Sequence, residues 1–237
     1  MKRVAIMQPT FLPWTGYLGM MRLADVFVFY DDVQFSKQSW QNRNRIKMHS
    51  GEAAWLTVPT RRKGLDTPIH EVELGDDRTW QRKQLATIQQ TYSKSAHFDW
   101  VFPVVEAAYG RGHGLLADFT IDLVTALYRL IFSEDANTVR SSQIDVRNED
   151  RVERLVDIVK SCEGDEYLSP IGSRDYLDPA RMAAKGLSVS WYSFPPKEYP
   201  QEGDSFLPYM SVIDLLCHVG PDAGAFICDG LEESVSA

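Results

Sequence analysis

With 237 residues, 44% hydrophobic and 24% charged, the chain is long enough to bury a sizeable core and lacks both the apolar depletion of disorder and a repeat-like bias. Its formal net charge of −8 argues against nonspecific nucleic-acid binding, which needs a basic face for phosphates. Cys162, Cys217 and Cys228 are odd in number and far apart, so neither a disulfide framework nor a tightly bound metal is expected.

Val4 to Met7 is a short apolar run that predicts a buried first strand, ended by Gln8-Pro9. This opening reads as a strand and not as a signal-peptide core. No apolar run reaches the roughly 18 residues of a membrane span, so a cytoplasmic protein without a membrane span is expected. After the proline-punctuated loop from Gln8 to Pro13, apolar residues at 14, 17, 18, 20, 21 and 23 predict a helix over Trp14 to Leu23. Val26 to Tyr30, β-branched and aromatic, predicts a second strand. At that separation the two strands are most simply parallel, with the helix as crossover. Both then end on the sheet edge where open α/β folds bind ligands.

Ala54 to Pro59 and Ile69 to Leu74 read as further strands, and Arg78 to Tyr92, Trp100 to Ala108 and Leu115 to Phe132 as helices. Asp150 to Cys162 predicts another helix, with Arg151, Glu153 and Arg154 facing outward. A strand at Tyr167 to Ser169, a turn at Gly172, a short helix at Pro179 to Lys185 closed by Gly186, and a strand at Leu187 to Phe194 follow. Ser211 to Val219 predicts the last helix, and the chain from Pro221 reads as a loosely held tail. The whole predicts a single α/β domain over residues 1–237: a Rossmann-like, mostly parallel sheet with an inserted helical region at about 78–133.

Three stretches carry candidate chemistry. In Gln8 to Tyr17 two prolines stiffen the backbone, Gln8 offers an amide at a strand end, and Gly16 early in a helix suggests a close approach by ligand or neighbouring chain. Trp14 and Tyr17 are candidate ligand contacts there; the alternative is an aromatic core cap. Asp31-Asp32 ends the second strand and is followed by Gln34, Lys37, Trp40, Asn42, Arg43, Asn44 and Lys47. Adjacent carboxylates in extended chain point opposite ways, so one can enter a cleft as a base or cation ligand. The amide and guanidinium donors suit phosphate or carboxylate, within a locally basic segment that also holds Arg45, Arg61, Arg62 and Lys63. Tyr167, Ser169 and Gly172 form a third stretch, a turn ahead of a helix.

The string Gln8-Pro-Thr-Phe-Leu-Pro-Trp-Thr-Gly-Tyr17, with Asp31-Asp-Val-Gln-Phe-Ser-Lys-Gln-Ser-Trp-Gln-Asn-Arg-Asn-Arg-Ile-Lys47, resembles the WbqC-like protein family. The resemblance continues through Leu56 to Pro59, Thr91 to Lys94, Tyr167 to Ser169 and Ser211 to Asp214, nearly the whole chain. It implies a role in bacterial surface-polysaccharide (lipopolysaccharide, O-antigen) or secondary metabolism, with acyl or glycine-type aminoacyl transfer to an amino group of a sugar or similar acceptor. On this reading Asp31 or Asp32 removes the amine proton, Gln8 and Asn42 orient the substrate, and Arg43 with Lys47 holds phosphate or carboxylate. A small-molecule partner is expected, such as a nucleotide-sugar or aminoacyl donor, with a nucleotide or Mg²⁺ as a possible cofactor. A more distant similarity is to nucleotidylyltransferases and pantothenate-synthetase-like ligases, which implies nucleotidyl transfer or adenylate formation as an alternative. Their paired histidines are missing here, with Trp14, Gly16 and Tyr17 in their place. A non-catalytic sugar-binding or scaffold protein is the other alternative.

Overall fold

A computed structural model describes residues 1–175 and 177–235. The chain opens with β1 (Arg3–Met7), α1 (Thr15–Leu23) and β2 (Val26–Phe29). An insertion follows: the hairpin β3 (Arg43–Lys47) and β4 (Ala53–Thr57), the short pair β5 (Thr60–Arg61) and β6 (Glu73–Leu74), and helices α2 (Thr79–Tyr92), α3 (Phe98–Gly110) and α4 (Leu116–Phe132). The chain returns to the sheet with β7 (Thr138–Arg140), then runs through α5 (Arg151–Ser161), β8 (Glu166–Pro170), α6 (Pro179–Ala184) and β9 (Ser188–Ser193). It ends with α7 (Val212–Val219), α8 (Ala223–Asp229) and β10 (Glu232–Val235).

The six-stranded sheet has the order β10-β9-β8-β1-β2-β7. All neighbours are parallel except β10, which pairs antiparallel with β9. This is an α/β Rossmann-like fold. The alternation of side chains along each strand divides two apolar layers. Val4, Ile6, Val26 and Val28 pack with Val152, Leu155, Val156 and Val159 of α5 on one face. Ala5, Phe27 and Phe29 pack on the other face with Leu18 and Met21 of α1, Leu123 of α4 and Leu216 of α7. The second layer runs on into the insertion without a break. The local chemistry agrees with the elements: Asp150 caps α5 through Val152 N (2.9 Å) and Glu153 N (3.0 Å), and Asp178 and Ser211 cap α6 and α7. No helix among the described residues is long and apolar enough to cross a membrane.

Three expectations are corrected. Ile69 to Leu74 is mostly a 3-10 turn at Ile69–Glu71, with only the two-residue β6 beyond it; its apolar alternation reflects Ile69, Val72 and Leu74 facing the core. Arg43–Lys47, a donor-rich basic segment to which the pattern assigns no strand, is strand β3, because Asn44 and Ile46 turn into the core while Arg43 and Arg45 turn outward. The supposed tail from Pro221 is α8 plus an edge strand, held by fully buried Ala223 and Ile227.

Candidate functional site

Chain order reverses between β1 and β8, since β2 lies on one side of β1 and the later β8 on the other. Such a switch point opens a crevice beyond the carboxyl ends of the strands. A cavity of about 550 Å³ lies there, within the range of small-ligand sites. Its floor comes from the ends of β1 and β8 (Met7, Gln8, Tyr167, Ser169, Pro170). Its walls come from Thr10, Trp14 and Tyr17, from Tyr30 after β2, from Ser39 to Gln41, from Arg151 and Leu155 of α5, and from Ser173, Leu177 and Tyr209.

The loop from Gln8 to Pro13 is held from below. Asn44 donates Nδ2 to the carbonyls of Phe11 (3.3 Å) and Leu12 (2.7 Å). Leu12 takes a left-handed conformation, φ 43°, which a non-glycine residue keeps only when its surroundings hold it. Phe11 N donates to Trp40 O (2.9 Å), and Phe11 and Leu12 are fully buried. The Gln8 side chain is oriented by Gln41, whose Nε2 donates to Gln8 Oε1 (2.8 Å) while its Oε1 accepts from Ser36 N (2.9 Å). This leaves the Gln8 amide hydrogens without a partner among the described residues. Tyr17 Oη and Thr10 Oγ1 donate to the Gln8 carbonyl (3.1 and 3.2 Å). On the opposite floor, Ser169 and Ser173 share a short hydroxyl contact, and Ser173 donates to Pro170 O.

Gly16 is required by a side chain. A Cβ there would lie 2.1 Å from Trp14 Cζ3 and 2.9 Å from Phe194 Cβ, so the close neighbour is the Trp14 ring folding back over the start of α1. Burial raises the pKa of Tyr17; burial also raises that of Tyr30, where Arg154 opposes it. Both hydroxyls therefore stay protonated at neutral pH, and that of Tyr17 donates to the Gln8 carbonyl.

The structure brings together Gln8, Trp14, Tyr17, Trp40, Tyr167 and Ser169 of the expected set. The others lie elsewhere. Asp31 is fully buried beside the cavity, not on its wall: its carboxylate accepts from Arg140 Nε (2.6 Å), Ser142 N (3.0 Å), Ser142 Oγ (3.0 Å) and Ser141 Oγ (3.3 Å). Arg140 also donates to Asp118 (2.6 Å); burial opposes its charge, but the two carboxylates outweigh that and raise its pKa. Asp32 pairs with Arg154 of α5 and accepts from Ser141 Oγ, bordering a separate polar recess with His70 and Ser142. Asn42 Nδ2 donates to Val58 O (3.0 Å), and Lys47, fully buried, donates to the Ser205 carbonyl. Gln34 Nε2 donates to Leu65 O (3.0 Å), Lys37 is exposed, and Gly172 has open space where a Cβ would stand.

Arg154 was expected to face solvent and instead turns to Asp32, while Arg151 reaches the cavity rim. Thr10, Tyr30, Ser39, Gln41, Arg151, Ser173 and Tyr209 are cavity residues that sequence reasoning did not select. Gln41, Thr10 and Ser173 had a local signal, as an amide and hydroxyls beside selected positions; Tyr209 reaches the wall through edge packing on Trp14 at 6.1 Å. Among the described residues no group of three or more His, Cys, Asp or Glu side chains is placed to hold a metal ion.

Residues 8–226 match the family described as the WbqC-like protein family. The chain is also 31% identical over 232 residues to the Mycobacterium tuberculosis uncharacterized protein Rv1507c, covering 96% of this chain and 98% of that one. No solved structure matches it.

Proposed function

The chain belongs to the WbqC-like protein family, and from that premise we propose that it is a transferase that moves an acyl or aminoacyl group onto an amino group of a sugar or related small acceptor, in surface-polysaccharide or secondary metabolism. The observation that carries this reading is the cavity at the switch point, which combines aromatic walls with the free Gln8 amide, the Ser169 and Ser173 hydroxyls and the Arg151 guanidinium. Rings and sugars pack on such walls while a few polar groups set orientation.

In the proposed step the acceptor nitrogen forms a bond to the acyl carbon, the bond from that carbon to the donor's leaving group breaks, and the amine proton departs with the leaving group. Gln8 Nε2 donates to the acyl oxygen as negative charge develops on it. Arg151 holds an anionic part of the substrate. The titratable groups lining the cavity, among the described residues, are tyrosines and Arg151, so rate enhancement comes from positioning and hydrogen bonding. Asp31 and Asp32 are positioning residues in this scheme. Asp31 ties the end of β2 to Arg140 and Ser142; Asp32 ties it through Arg154 to α5, the helix that carries Arg151 and Leu155 to the cavity.

The test is a thermal-shift screen of aminoacyl donors, nucleotides, nucleotide-sugars and amino sugars, with mass spectrometry of any stabilising pair. A product heavier than the acceptor by one acyl group, lost in Gln8→Ala, supports the proposal. Stabilisation by a ligand with no new mass in any pairing would instead make this a binding protein, a reading favoured by the lack of a carboxylate or imidazole on the described cavity wall.

A further inference from the structure

Outside the cavity mouth, the outward face of the β3–β4 hairpin and the turn that leads into it carry two exposed tryptophans and two arginines. Trp40 and Trp55 are 47% and 46% exposed, with ring centroids 5.5 Å apart. The Arg43 guanidinium lies 4.2 Å from the Trp55 ring centre, and that of Arg45 lies 5.9 Å from Trp40 and 5.8 Å from Trp55. Positions 43 and 45 share one face of the strand, about 7 Å apart along it. The register sets Arg45 opposite Trp55.

Three features make this cluster more than surface decoration. Its arginines have no carboxylate partner among the described residues, in a chain of net charge −8 that pairs most of its other partly buried arginines: Arg140 with Asp31 and Asp118, Arg154 with Asp32, Arg3 with Glu166. Arg45 Nε is buried and has no hydrogen-bond partner, so no neighbouring group among the described residues neutralises or ties down this guanidinium. Finally, Trp40 belongs to both places: it lines the cavity and forms one side of the exposed cluster. The cluster therefore adjoins the cavity wall at Trp40.

Stacked guanidinium groups keep their in-plane N–H donors for an anion while aromatic faces offer a platform for a flat ring. Two such cations beside two indoles match a planar ring joined to a multiply charged anion. We propose that the Trp40, Trp55, Arg43 and Arg45 cluster receives the nucleoside diphosphate part of a ligand whose remaining part occupies the cavity. The base stacks on the indoles and the diphosphate takes the guanidinium donors. This rests on reading the cavity as the ligand site, and it names the acceptor as a nucleotide-linked sugar whose amino group lies in the cavity.

The experiment is a titration, followed by tryptophan fluorescence and by calorimetry, with the diphosphates of uridine, cytidine, guanosine and adenosine, the matching nucleosides, and inorganic pyrophosphate. At least one nucleoside diphosphate should bind at least about tenfold tighter than its nucleoside and than pyrophosphate. The double variant Arg43→Gln, Arg45→Gln should weaken that binding at least about tenfold and flatten its dependence on salt. Trp55→Ala should weaken nucleoside diphosphate binding more than pyrophosphate binding, because it removes the stacking surface while keeping both charges. Arg45→Lys, which keeps the charge and the fold but loses the forked donors, should fall between wild type and the double variant. Failure of all four diphosphates to bind, or equal binding by wild type and the double variant, would overturn the proposal. If acyl transfer is detected while that happens, the cavity reading stands and only this inference falls. If a diphosphate binds as described and no transfer product forms, this inference and the cavity as ligand site stand, and the transferase reading falls.

Discussion

Replacing Asp31 by asparagine separates a positioning carboxylate from a catalytic base. The side chain is wholly buried and accepts from Arg140 Nε at 2.6 Å and from Ser142 N and Oγ at 3.0 Å. Asparagine keeps the volume but turns one oxygen into a donor. If the remaining oxygen stays with Ser142 N, the new NH₂ faces Arg140 Nε, so one charge-assisted bond worth about 1.5–3 kcal/mol is lost and two donors are set against each other. Arg140 keeps Asp118 at 2.6 Å, which holds the loss below the roughly 3–5 kcal/mol of breaking a buried pair outright. The expected destabilisation is about 2–4 kcal/mol, read from urea unfolding as a lower midpoint at unchanged slope. At a temperature where both proteins are folded, Asp31→Asn should keep ligand affinity within about threefold of wild type, since the carboxylate is not on the cavity wall. A variant of wild-type stability with abolished turnover would refute this reasoning and restore Asp31 as a base.

Gly16→Ala should lower ligand affinity more than stability, because the added methyl, 2.1 Å from the Trp14 ring, pushes that ring out of the cavity wall; unchanged affinity by calorimetry would count against it. Asn44→Ala removes the donor to Phe11 O and Leu12 O and leaves two buried carbonyls unsatisfied, so a loss of about 2–4 kcal/mol is expected on thermal or urea unfolding, with weaker binding as the Gln8 to Pro13 loop relaxes. Asp214, beneath Tyr92 and Tyr199, has its pKa raised by burial against the opposing hydrogen bonds of those hydroxyls. The folded state therefore holds this proton above the unfolded value. The group's contribution to stability is fully present below about 3.8 and is lost as pH rises through the raised folded value. Wild type minus Asp214→Asn unfolding free energy should accordingly increase as pH falls through that window, and a flat or opposite trend would refute the assignment.

Much of the frame was legible in the chain. Val4 to Met7 and Val26 to Phe29 are continuous apolar runs broken by Gln8-Pro9 and Asp31-Asp32, so strand identity, parallel pairing and the edge where both end followed from local pattern. Gln8, Trp14 and Tyr17 stood out because prolines hold them beside that edge. The hairpin strand β3 did not, since Arg43, Asn44 and Arg45 have loop-like polarity; its inward residue Asn44 is polar because it serves the carbonyls of another loop. The last strand escaped notice because Pro221 and Gly230 suggest an unstructured tail, whereas α8 is held by burial of Ile227 against α1 and α4.

Local pattern and proline placement, acting over a few residues, were enough to determine the α/β class and the sheet edge of the cavity. They could not assign roles to the polar residues gathered there. Asp31 and Asp32 look the same in sequence, yet their partners Arg140 and Arg154 lie 109 and 122 residues away. Whether a carboxylate is free to act or is neutralised depends on which charges packing brings within a few ångströms, and only the tertiary structure decides that. The same holds in reverse for Arg43 and Arg45, which folding leaves without a carboxylate partner among the described residues, stacked on two tryptophans at the mouth of the cavity.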